Sequence, residues 1–253
     1  MTVSTRPLTD DDLREQVAWS CRILALGEQG DYTLGHVSAR AADGQTMLMK
    51  RYGLGLEEVT PDDVLRLDFD GAVLDGAGRA HLEYVLHSEV YRARPDVQSV
   101  IHTHPPYATA FGATDAELQL INHDAVLFHD GLAYFDDTAE MIVDRDQGSR
   151  VAAALGEKRA AMLRGHGVLV TGQSVPWSTY TALTLERVLR LQMIATALGP
   201  LRPMSPEMAR QVFPEKYRDV HVNSYWEYLI RTVQRAGLGE GMPARAVSEA
   251  GHA

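Results

Sequence analysis

The sequence predicts one α/β domain, and three observations carry that prediction. Segments with helical spacing interleave with short strand-like runs, 253 residues suffice to bury a proper core, and no repeat, low-complexity tract or linker divides them. The domain is expected to span residues 1–253, with its core at about 10–200 and further helices at about 205–236. A Gly- and Ala-rich tail, 237–253, is expected to fray.

The elements follow in order. Thr9 caps a first helix, and Asp10, Asp11 and Asp12 face the positive end of its dipole. Leu13, Val17, Cys21 and Leu24 recur at helical spacing until Gly27 or Gly30. Gly35 to Arg40 is short and flanked by turns. Thr46–Lys50, with Met47-Leu48-Met49 as strand core, and Val64–Phe69 read as strands, the second closed by an Asp70-Gly71 turn. Residues 81–94 form a helix with the stripe Leu82, Val85, Leu86 and Val90, ended by Arg94-Pro95. The run 97–104 is a strand stopped by Pro105-Pro106, since neither proline can donate to a sheet ladder. A helix over 144–155 ends at Gly156, and two strand segments between Ala160 and Thr171 are interrupted by Gly165-His166-Gly167. A long helix over 176–198 carries proline in its first turn, Ser205-Pro206-Glu207 caps a short one, and Tyr225–Val233 forms the last.

The formal charge is −10 and the pI about 5.4, with no long Lys/Arg run, so nucleic acid and anionic membrane are poor partners. An anionic substrate needs local positive groups. Cys21 stands alone, which excludes an intrachain disulfide and a Cys-rich zinc knuckle; any metal must sit on His and carboxylate. The first residues lack the apolar core of a signal peptide and no apolar run is long enough to span a bilayer, so a cytoplasmic enzyme is expected.

His102 and His104 point the same way from a strand and can bite one metal ion, with bonds of about 2.0–2.1 Å for a zinc-like ion. A hydrogen-bonded pair is the alternative. His166, between two glycines, reads as a turn histidine or a ligand. Glu83 opens the helix just before the His102/His104 strand, where it serves either the dipole or a site.

In this order, Gly35-His36-Val37-Ser38-Ala39-Arg40, Glu83 with His87 one turn later, Arg94-Pro95-Asp96, Val100-Ile101-His102-Thr103-His104-Pro105 and Leu163-Arg164-Gly165-His166-Gly167 resemble the class II aldolase/adducin family. The resemblance covers roughly residues 10–200. It implies a three-layer α/β/α fold around a mixed, mostly antiparallel sheet, and one divalent ion per subunit (zinc, manganese or iron) on His102, His104 and His166. Glu83 is then acid/base or completes the coordination shell. It also implies a homo-oligomer, a tetramer in the family, in which Tyr225 or Tyr228 of a neighbouring subunit reaches the active site; packing or subunit contact is the other reading for these tyrosines and for Trp177 and Trp226.

The chain departs from the family's sugar-phosphate aldolases at two places. His36 replaces an asparagine of the glycine-rich loop, and His81-Leu82 replaces a serine pair that holds phosphate. Leu82 cannot hold phosphate. The changes resemble instead the branch of dihydroxyphthalate decarboxylases and the iron oxygenases of aminocoumarin biosynthesis. A small-molecule carboxylate is therefore the expected substrate. His36, Ser38, Arg40, Lys50 and Arg51 are available to receive it, and Glu83, His81 or His36 to protonate the carbanion. His123 and His129, in loops beside Asp124 and Asp130, either line the site or are simply hydrogen-bonded. The expected activity is a metal-dependent decarboxylase. An iron oxygenase, an aldolase on a small aldehyde or ketone, and a non-catalytic adducin-like module are the alternatives.

Overall fold

A computed structural model describes residues 6–243. Its helices are α1 (Asp10–Leu26), α2 (Tyr84–Ala93), α3 (Pro106–Gly112), α4 (Arg145–Leu155), α5 (Val175–Leu198), α6 (Pro206–Lys216) and α7 (Asp219–Arg235). The strands are β1 (His36–Arg40), β2 (Thr46–Lys50), β3 (Val64–Asp68), β4 (Val73–Asp75), β5 (Ser99–Thr103), β6 (Ala133–Phe135), β7 (Ala160–Leu163) and β8 (Gly167–Gly172). They form one eight-stranded sheet in the order β4-β3-β2-β1-β5-β8-β7-β6. Every neighbouring pair is antiparallel except β6 with β7, so the sheet is mixed and mostly antiparallel as expected.

Strand alternation divides the core into two layers. Leu48, Ile101 and Val170 bury with Trp19, Leu24 and Leu185 of α1 and α5. Their neighbours Met47, Met49, Val100 and Leu169 bury on the other side with Val85, Leu86 and Val151 of α2 and α4. Local caps account for the helix starts. Thr9 accepts from the Asp12 N–H while Asp12 accepts from that of Thr9, and Asp144 and Gln147 repeat the device on α4. Ser174 and Ser205 cap α5 and α6, each with proline in the first turn.

Several boundaries differ from the sequence reading. The α2 helix begins at Tyr84, not at 81, because Glu83 occupies the N-cap with φ −90° and ψ 26°. Leu82 therefore leaves the apolar stripe and is 56% exposed. The last helix starts at Asp219, six residues before Tyr225. The prolines that end β5 also open α3, whose first N–H groups are capped by Glu186 of α5, 2.9 Å from Tyr107 N and 2.8 Å from Ala108 N. A cap supplied from so far along the chain leaves no local signal. The strands β4 and β6 are three residues each, too short for a periodic pattern.

Just past 237 the chain is tied to α1. Buried Arg22 donates to Val59 O and Glu58 O, and also to Leu238 O and Glu240 O at 2.9 and 3.0 Å. The rest of the expected tail, 244–253, lies outside the described residues, as do residues 1–5. Among the described residues no helix is long and apolar enough to cross a membrane.

Candidate metal centre

Three histidines converge at the end of β5. His102 is in the strand, His104 follows one residue after its end, and His166 stands in the β7–β8 turn. Gly165 takes φ +67°, and a Cβ on Gly167 would collide with the His104 ring and the Thr103 carbonyl. Glycines on both sides are what let His166 enter. The ring centroids of His102 and His166 lie 4.8 Å apart, those of His104 and His166 5.2 Å.

The proton positions favour a cation between them. His102 Nδ1 lies 2.9 Å from the Val168 carbonyl and His104 Nδ1 2.9 Å from Asp31 Oδ2. Both partners only accept, so both Nδ1 atoms carry the proton and, in the neutral rings, both Nε2 atoms present lone pairs. Those two Nε2 atoms are 3.0 Å apart. Outer nitrogens anchored on acceptors with inner lone pairs converging is how metal-ligating histidines are held. Burial keeps His102 neutral by lowering its pKa well below the usual histidine value, and lowers that of His166 to about 4. The donor atoms of the three histidines all lie within 4.8 Å of one another.

Glu83 stands beside them. Its Oε1 is 3.5 Å from His166 Nε2 and its Oε2 is 3.7 Å from both His102 Nε2 and His36 Nε2. The backbone N–H of Ile142 donates to Oε1 at 3.0 Å and fixes the carboxylate. Burial raises the Glu83 pKa, and the Ile142 hydrogen bond opposes that shift.

Sheet register places His36 directly opposite His102, so it enters from β1 on the same face. The His36 ring lies 4.0 Å from that of His81, and the Nε2 atoms of both are buried without a hydrogen-bond partner among the described residues. Burial lowers the pKa of His36 well below the ordinary value and that of His81 to about 4. Tyr52 extends this aromatic wall, 5.8 Å from His81, and Arg79 lies over the Tyr52 ring at 5.0 Å.

Four residues expected to receive a carboxylate, and the two loop histidines, do other work or lie elsewhere. Arg40, four residues from His36 along β1 and thus about 13 Å away, gives its N–H groups to the carbonyls of Val97, Gly44, Tyr91 and Arg94. Arg51 pairs with Asp63 at 2.8 Å. Lys50 is fully buried and donates to Thr33 O; the β1–β2 register sets it opposite Val37, on the other face of the sheet from His36. Ser38 Oγ is engaged by His87 and Tyr91. His123 sits beside Asp124, which pairs with Arg187 and Lys216 in a separate groove of about 440 Å³ that Tyr225 and Tyr228 also line. In that groove Tyr225 stacks on Tyr180 at 5.2 Å. His129 stacks on Phe213.

Asp31, Ile142, Tyr52 and Arg79 were absent from the sequence reading, and His87 entered it only as a motif residue without a role. Asp31, Ile142 and Arg79 carry no local motif. The only available signal was the turn-like Tyr52-Gly53 following a strand.

The 4-hydroxy-3-prenylphenylpyruvate oxygenase/4-hydroxy-3-prenylbenzoate synthase of Streptomyces roseochromogenus subsp. oscitans is 34% identical over 154 residues, 60% of this chain and 56% of that protein. The chain thus spans little more than half the length of that relative. The 3,4-dihydroxyphthalate decarboxylase of Arthrobacter keyseri is 25% identical over 241 residues, covering 91% of this chain and 97% of its own. Among solved structures, an aldolase II superfamily protein from Pseudomonas syringae superposes with a TM-score of 0.82 at 28% identity, over 92% of this chain and 96% of that one. Residues 15–193 match the model of the class II aldolase and adducin N-terminal domain, and the chain belongs to that family.

Proposed function

We propose that the chain is a divalent-metal-dependent carbon–carbon lyase, a decarboxylase of a non-phosphorylated hydroxy- or oxo-carboxylate, aromatic substrates included. The observation that carries this reading is the pairing of the His102/His104/His166 group with two buried imidazoles, His36 and His81, whose Nε2 atoms have no partner. His102, His104 and His166, with Glu83 beside them, would hold a divalent ion, which would supply Lewis-acid stabilisation of the negative charge that develops on a substrate oxygen.

The chain's own residues do the rest. His36 and His81 orient the anionic group of the substrate, and the Tyr52–His81–His36 wall offers rings against which a planar substrate can lie. Loss of carbon dioxide leaves the bonding electron pair on the substrate carbon, and one proton must be returned there. Glu83, buried and held by Ile142 N–H, takes that proton from solvent and delivers it; His81 or His36 is the alternative donor. Leu82, turned to solvent, offers nothing to a phosphate. We propose further a homotetramer in which Tyr225, 40% exposed, serves across the subunit contact.

Oxidative decarboxylation with ferrous iron is a second reading, favoured by the relative named as an oxygenase. An adducin-like module without catalysis, or an aldolase, fits the donor set and the Leu82 position less well. The test is metal analysis of the purified protein, followed by turnover of hydroxy-aromatic acids with and without oxygen. Oxygen-independent release of carbon dioxide supports the decarboxylase, and stoichiometric oxygen uptake the oxygenase. Efficient cleavage of a ketose 1-phosphate would return the protein to the aldolases.

A further inference from the structure

We infer that a buried relay from Tyr91 through Ser38 and His87 fixes His36 as a hydrogen-bond donor toward the site, so that His36 and His81 form a cradle for an anion and not a second metal centre. The question arises because His36, His81 and Glu83 bring their donor atoms within 4.8 Å of one another, a second group with the makings of a metal site. Metal ions need lone pairs and carboxylates need N–H groups, so the positions of two protons decide between them.

The first proton follows from the far end of the relay. The Tyr91 hydroxyl is buried, and among the described residues its one hydrogen-bond acceptor is Ser38 Oγ at 2.7 Å. The phenol proton is therefore directed to Ser38 Oγ. The Ser38 proton is then directed to His87 Nδ1, 2.7 Å away. His87 is fully buried and forms no ion pair among the described residues, so its single proton lies on Nε2, 2.7 Å from His36 Nδ1. His36 therefore accepts at Nδ1 and carries its proton on Nε2, the atom that faces the site without a partner. Running the relay the other way would turn the Tyr91 proton away from Ser38 Oγ, leaving a buried donor unsatisfied.

The second proton is set locally. His81 Nδ1 accepts from the Glu83 backbone N–H at 3.3 Å, which leaves the His81 proton on Nε2. Two N–H groups on rings 4.0 Å apart, both buried and both unpartnered, thus point into the space beside the three-histidine centre. Glu83 Oε2, 3.7 Å from His36 Nε2, lies beyond hydrogen-bond length and does not occupy the donor. That pair suits a carboxylate or phenolate oxygen. Tyr91, Ser38 and His87 act through His36 and are positioning residues. This inference rests on the proposed carboxylate substrate for its occupant, but its proton positions are readable without turnover.

The test uses the zinc-loaded protein. Nitrogen-15 NMR of labelled histidine should find His36 and His81 in the Nε2–H tautomer, and metal analysis should find one ion per chain, unchanged in His36→Ala. Tyr91→Phe should mix the His36 tautomers and weaken binding of benzoate about tenfold, with zinc affinity unchanged. Ser38→Ala breaks the relay at its next link and should do the same. Two ions per chain with one lost in His36→Ala, or an Nδ1–H tautomer of His36 in the unmodified protein, would overturn the inference. If the tautomers and benzoate binding are as expected but no carboxylic acid is decarboxylated, the proposed reaction fails and the anion cradle stands.

Discussion

Replacing Asp31 by alanine removes the acceptor that orients His104 and leaves the histidine itself in place. Asp31 Oδ2 holds His104 Nδ1 at 2.9 Å, which forces the lone pair onto Nε2, the atom facing His102. Loss of a partner of this kind costs about 10–100-fold in metal affinity, or about 1.4–2.7 kcal/mol. The exposure of the pair narrows the range. The Asp31 side chain is 33% exposed and that of His104 14%, so water can take over part of the acceptor role and the loss should fall near tenfold. Asp31→Asn keeps an acceptor oxygen but drops its charge, and should fall between alanine and the unmodified protein. The folded chain should not suffer, because Asp31 lies in the α1–β1 loop and its backbone bond to Leu34 N is retained. Competition against a chromogenic chelator reads the affinity directly, and a melt of the metal-free protein controls for folding. If Asp31→Ala binds zinc as tightly as the unmodified protein, and His104→Ala does too, the reasoning that makes His104 an anchored ligand is wrong.

Three further outcomes are expected. Glu83→Gln keeps an oxygen for Ile142 N–H and should retain most of the metal while turnover drops about 10²–10⁴-fold; intact turnover with an inactive His81→Ala would assign the proton to His81. The metal-free protein should lose stability in mild acid. His81 and His166 titrate at 6.5 when unfolded and at about 4 when folded, so the unfolded chain binds their protons first. Their stabilisation is present above the unfolded value and lost as pH falls from about 6.5 to about 4, on the order of 3 kcal/mol each. A urea midpoint flat across that window would contradict the burial of these imidazoles. Arg22→Ala should release the segment held through Leu238 O and Glu240 O and cost about 2–4 kcal/mol. Limited proteolysis that finds no new cleavage near 238 would show that Arg22 does not hold it.

What could be read from the sequence is what short stretches of chain settle among themselves. The Thr9 and Ser205 caps and the glycines around His166 are contacts within a few residues, and alternation along a strand puts His102 and His104 on one face wherever the strand lies. The one misjudged helix start in the site, at Glu83, came from periodicity continuing through a residue whose backbone is not helical. Tertiary structure decided the chemistry of each imidazole. Asp31 is 73 residues from His104, Ile142 59 from Glu83 and His87 51 from His36, yet these partners set which nitrogen holds the proton and where the carboxylate points. Charge went the same way: Arg40 and Lys50 lie within a few residues of His36 or across one strand from it, but strand length and sheet face turn them away. Periodicity specifies the face a side chain occupies, whereas hydrogen bonding depends on what the fold brings to that face from elsewhere in the chain.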